Sequence, residues 1–180
     1  MTFHLKVRHA IWAAMHIGIC LALMTAAQTA RAEDYGWFSL DTPQGWQAQA
    51  PSTLAGAWVL ALAGPEKAVH VRIMVGKTAG PPDAADVAGL LRAAAGVREP
   101  LRRADGQYVF RGKDALGVDT ACIVGADQQA GVYMAVLCSG EVDRAEDLLA
   151  AMRGGSNPAM LPARHAVRGS IEARFLPAAQ

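Results

Sequence analysis

The chain has 180 residues, 52% of them hydrophobic and 18% charged, with 17 basic and 16 acidic side chains and a formal net charge of +1. That composition is one of an ordinary globular protein long enough to bury a core, and it excludes the disordered, collagenous and low-complexity classes. The near balance of charge leaves no electrostatic case for nucleic acid as a partner.

The first residues form a pattern of their own. Lys6 and Arg8 stand in an acid-free opening, an apolar run follows over 11–27, and Ala30-Arg31-Ala32 closes it with small residues. This predicts a secretory signal at 1–32, cleaved after Ala32, and a periplasmic or secreted product. The alternative is a retained anchor, because 11–27 is close to the shortest stretch that spans a bilayer. After cleavage no membrane span is expected. Cys20 is not read as a lipidation site, since Ile19 precedes it where a small residue is needed. Cleavage removes Lys6, Arg8 and Arg31 but no acid, leaving 14 basic against 16 acidic residues. It also leaves Cys122 and Cys138 as the cysteines of the mature chain. An even pair in an oxidising compartment points to a disulfide rather than a catalytic thiol.

Strands are predicted over 35–40 and 46–49, separated by a turn in which Pro43 sets one corner and Gly45 the other. Two more follow at 56–63 and 68–75, joined through Gly64-Pro65. The second alternates, with Val69, Val71, Ile73 and Val75 on one side and His70, Arg72 and Met74 on the other. A helix is predicted over 84–95, with Asp83 as N-cap and Gly96 as its stop. Val87, Leu90, Leu91 and Ala94 form one apolar stripe, so the helix should lie on a sheet. Asp105-Gly106 then joins strands at 99–103 and 107–111.

Residues 117–139 read as a hairpin with its bend at 127–131, apolar on both faces and therefore internal to the sheet. Cys122 and Cys138 lie symmetrically about Ala130, which predicts a cross-strand disulfide. Its chain-entropy contribution would be roughly 3 kcal/mol. A second helix is expected from 139 or 140, with Val142, Ala145, Leu148, Leu149 and Met152 along one side, ending at Gly154-Gly155. The domain is thus read as 33–153. Residues 154–180 are read as a flexible basic tail, with Arg164, Arg168 and Arg174 against Glu172, able at most to make weak contact with a surface.

The order of strands and helices, opened by Phe38-Ser-Leu-Asp-Thr-Pro-Gln-Gly-Trp46, resembles the PsbP-like and DcrB-like families of small exported proteins. The resemblance covers about 35–153. It implies an α+β fold, an antiparallel sheet of six to seven strands with two packed helices, and a role in binding or assembly rather than catalysis. It carries over no active-site residue.

The chemistry of the mature chain agrees with that expectation. Its histidines are His70, on a strand, and His165, in the tail, and no serine sits in a nucleophile elbow. The cysteines, histidines and aspartates show no metal-ligand spacing, and the glycines form no phosphate loop. No enzyme, cofactor or metal is expected. Trp37, Trp46 and Trp58 come from three early strands and either pack in one core cluster or leave an exposed platform, and Tyr35, Trp37 and Trp46 are the candidate partner surface if exposed. The function read from sequence is an accessory or binding protein for an envelope assembly. The alternative is a small-ligand or lipid carrier with a cavity lined by Leu60, Leu62, Leu90 and Leu91, and a hydrolase centred on His70 is the remote third.

Overall fold

A computed structural model describes residues 32–104, 106–154 and 160–161. The predicted signal and most of the predicted tail lie outside the described residues. The described residues form one compact unit, and its architecture is α+β, as expected, with more strands than the six or seven predicted. Among the described residues no helix is long and apolar enough to cross a membrane.

The main sheet holds eight antiparallel strands. Its first part is β3 (Gln47–Ala48), β4 (Ser52–Leu54), β5 (Ala57–Ala63) and β6 (Val69–Lys77). Its second is the meander β7 (Arg102–Ala104), β8 (Gln107–Lys113), β9 (Asp119–Asp127) and β10 (Val132–Gly140). The parts join where β10 pairs with β6, from Val132 opposite Lys77 to Gly140 opposite Val69. A second, three-stranded sheet is made by β1 (Glu33–Asp34), β2 (Ser39–Leu40) and β11 (Met152–Arg153).

Each face of the main sheet has its own core. On one, helix α1 (Ala84–Ala95) lies across β8 and β9 and packs Ala84, Ala88, Val87 and Leu91 against Phe110, Cys122, Val124 and Ala135. Asp83 caps it by accepting from the Ala85 N–H at 2.8 Å, and Gly96 ends it at φ +73°, as the sequence predicts. The buried stripe is rotated from the predicted one. Alanines 84 and 88 sit closest to the sheet, while Leu90 is 73% exposed. Small residues let the helix approach closely, and Leu91 alone of the two leucines turns inward.

On the other face, Val109, Ile123, Val136, Ile73 and Leu60 form one continuous row across five strands, all buried. They are covered by Phe38 and Leu40 from the small sheet, and by Val142, Ala145, Leu148, Leu149 and Met152. Burying side chains of this size contributes about 1.5–3 kcal/mol each before conformational costs. The apolar stripe predicted for the second helix is therefore real, but the helix is shorter. Ser139 and Gly140 stay in β10, a 3-10 turn takes Val142–Ala145, and α2 is confined to Glu146–Ala151.

The amino-terminal strand predicted at 35–40 is mostly a turn. Gly36 lies at φ +83° and the Tyr35 N–H donates to the Phe38 carbonyl at 2.9 Å, folding β2 back on β1. The break predicted at Pro51 also takes another form. β3 and β4 both pair with β5, with residues 49–51 opposing only Leu60 and Ala61, so the chain bulges and resumes on the same edge.

The β4 to β5 loop is the two residues Ala55 and Gly56, at φ +49° and +82°. Both positions of a type I′ turn need positive φ, which an L-residue with a Cβ adopts at a cost of about 1–2 kcal/mol. Ala55→Asn, with a side chain that tolerates this region, is expected to raise the stability of the fold by about 0.5–1 kcal/mol in urea denaturation.

Candidate functional site

Cys122 and Cys138 are not joined. Both are free thiols in the folded chain. Val132 pairs with Asp127, which makes a loop of four residues, 128–131, where symmetry about Ala130 demands an odd number. Asp127 holds this loop by accepting from the N–H groups of Gln129 and Ala130, both at 3.0 Å. The one-residue difference in register reverses the facing of every side chain. Cys122 stands opposite Leu137 and packs under α1, and Cys138 stands opposite Ala121 in the other core. Burial pushes the Cys138 thiol up to about 12; for Cys122 burial, and secondarily the charge of Cys138, raises it well above the ordinary range.

The proposed carrier cavity is also divided by the sheet. Leu60 and Leu62 belong to the core opposite α1, Leu91 lies under the helix and Leu90 faces solvent. These four leucines line no common space. A polar cleft of about 470 Å³ does exist at the start of α1, bordered by Asp83, Arg103, Tyr108, Asp127, Gln128 and Gln129. Asp83 and Asp127 in it are already engaged with backbone N–H groups.

His70 is exposed on β6, with Ala63 and Ser139 in register beside it. Neither is an acid that could orient an imidazole. His165 lies outside the described residues. Among the described residues no three His, Cys, Asp or Glu side chains converge as a metal set.

The candidate aromatic surface is brought together in part. Tyr35 and Trp37 flank Gly36 in the turn between β1 and β2, and both rings reach Trp58 of β5, at centroid distances of 5.4 and 5.5 Å. Phe38 packs beneath, 5.1 Å from Tyr35 and 6.0 Å from Trp58. Tilted pairs at these distances add about 0.5–1.5 kcal/mol each beyond area burial. Phe38 is fully buried, whereas Tyr35, Trp37 and Trp58 are half-buried. Trp46 does not join them. It is only 9% exposed and packs beside Gly64, where an added Cβ would come 3.4 Å from its ring.

Trp58, which the sequence offers with Trp37 and Trp46 as a possible cluster or platform, is the member left out of the predicted surface. It was hidden in the continuous apolar run of β5, although it alternates with Leu60 and Leu62. Glu33 and Asp34, the two residues ahead of Tyr35, are exposed, and Asp34 accepts from the Gly36 N–H at 2.8 Å. Tyr35 donates its hydroxyl to Glu33 Oε2 at 2.8 Å, and its pKa is pushed up to about 12, chiefly by burial and further by this bond and the adjoining charge.

No family model matches the chain, and no curated protein matches it. Among solved structures it is similar to a protein of Bacteroides thetaiotaomicron VPI-5482, known from a crystal structure at 1.50 Å resolution. The identity is 13% and the TM-score 0.37, over 68% of this chain and 46% of that one. The chain thus spans less than half the length of that neighbour.

Two measurements check the site. Mass spectrometry without reductant should find both thiols free, and alkylation should proceed only on unfolding. Because the folded thiol of Cys138 is raised, the stability it carries is complete below about 9 and is lost as pH rises toward 12. Spectrophotometric titration should show one phenol ionising near 12, absent in Tyr35→Phe and moved down part of the way in Glu33→Gln, since burial remains.

Proposed function

We propose that this protein is a non-enzymatic accessory or binding module of an envelope assembly, built on a PsbP-like or DcrB-like scaffold. It engages its partner through the corner formed by Tyr35, Trp37 and Trp58. The observation that carries this reading is the partial exposure of three aromatic rings packed on one another and on the buried Phe38. Aromatic side chains held this way offer a large contact area at little entropic cost, the property that enriches tyrosine and tryptophan at interface centres. The acids Glu33 and Asp34 beside them bias the choice toward a partner with basic side chains at the matching rim.

The leader pattern read at 1–32 fits this proposal, since it predicts delivery to the envelope, where such a partner would be met.

The test is a crosslinking pull-down from the envelope fraction of the source organism, run with the native protein and with Trp37→Ala. Trp37 lies in a turn and is half-buried, so its truncation leaves the two main cores in place. A partner captured by the native protein and reduced at least tenfold by the variant, the loss expected for an interface anchor worth more than about 1.4 kcal/mol, is the predicted result. Equal capture by both proteins would place the partner surface elsewhere.

A further inference from the structure

We infer that the aromatic corner is a docking site for a basic amphipathic segment, and that its occupant is the chain's own residues 162–180. The inference rests on the reading of this corner as an interaction surface, and it concerns how that surface is regulated.

The argument starts from where the described chain stops. Met160 is buried in the core of the face that carries Trp58, and Leu161 packs against the same core. The Leu161 carbonyl accepts from Gln107 Nε2 at 2.6 Å, which fixes the exit point at the start of β8. Gln107 shares the face of Val109, and Trp58 shares that of Leu60, so both border one side of the sheet. From β8 to β5 the sheet crosses β9, β10 and β6, four steps of about 4.8 Å, or roughly 19 Å. Phe175 stands fourteen residues past Leu161. That is about 45 Å of extended chain or about 21 Å of helix, so either form reaches the corner.

Composition then selects the occupant. Residues 162–180 carry Arg164, Arg168 and Arg174 against Glu172, and the corner is rimmed by exposed Glu33 and Asp34. Val167, Ile171 and Phe175 recur every four residues, which would align them on one side of a helix. A helix this short, interrupted by Gly169, is marginal in water and gains from a surface against which to fold. Three half-buried aromatic rings supply one. An external partner using the corner must displace this segment, so its apparent affinity falls by the fraction of chains in which the corner is free.

The test uses the chain of residues 32–180 with Ala173→Cys carrying a nitroxide. Buried Cys122 and Cys138 leave the introduced thiol as the reactive one. The indole N–H resonances are assigned with Trp37→Phe and Trp58→Phe. The expected result is loss of the Trp37 and Trp58 signals well beyond that of Trp46. Intensity should return at about 1 M salt, where screening acts over about 3 Å, and in the Arg164→Glu, Arg168→Glu, Arg174→Glu variant. Equal effects on the three indoles, or none, would overturn the inference. So would an effect that disappears when labelled chain is diluted into unlabelled chain, because the occupant would then be the segment of a second copy. Failure of the envelope pull-down with the nitroxide effect intact would remove the external partner and leave the docking in place.

Discussion

The central strand β10 has no solvent side. It is hydrogen-bonded to β6 along one edge and β9 along the other, with α1 above and the small sheet and α2 below. Every residue from Val132 to Cys138 must therefore suit one core or the other, and any slip along either neighbour exchanges the two sets. The rest of the molecule follows from this register. It aligns Leu60, Ile73, Val136, Ile123 and Val109 as a floor for Phe38 and Leu148, and it delivers Phe110, Val124 and Ala135 to the helix.

Local geometry is fitted to that constraint. Gly76 lies where the Tyr133 ring crosses the sheet, and an added Cβ would come within 2.4 Å of it, so the pairing of β6 and β10 relies on a missing side chain at that point. Arg111 closes the other core from outside. Its guanidinium makes a two-point contact with Asp143, at 2.9 and 3.2 Å, pinning the 3-10 turn that leads into α2. The same contact holds the Asp143 carboxyl below its ordinary range, with burial opposing it. Asp143 is largely solvated, so the pair orients a turn more than it stabilises the fold.

Features set by neighbours in sequence were the legible ones. Asp83 and Gly96 bound α1 because caps act within a few residues, and the alternation of β6 showed which side chains share a face. Features set by counting across a turn were not. Cys122 and Cys138 are placed by whether the loop after Asp127 holds five residues or four, and an Asx-type turn there accompanies the even number. The helix stripe failed for a related reason. Hydrophobicity favoured Leu90, but close packing favoured Ala84 and Ala88. In the candidate site, Tyr35 and Trp37 were visible as aromatic residues near a glycine, whereas Trp58 needed the sheet order to bring it beside them, and Trp46 looked equivalent until Gly64 gave its ring a bed.

The two margins of the main sheet share a property that matters to a protein crowded among others. On one side the outermost chain is bent between β3 and β4, where Pro51 lacks an N–H and residues 49–51 bow outward. On the other, β7 is three residues long and begins two residues after Pro100. An incoming extended chain therefore meets either a kinked ladder or one too brief to hold it. Eight strands, several with two apolar faces, would otherwise offer open edges for pairing, and here both borders are shaped against it, with exposed Arg102 and Arg103 on the outermost strand.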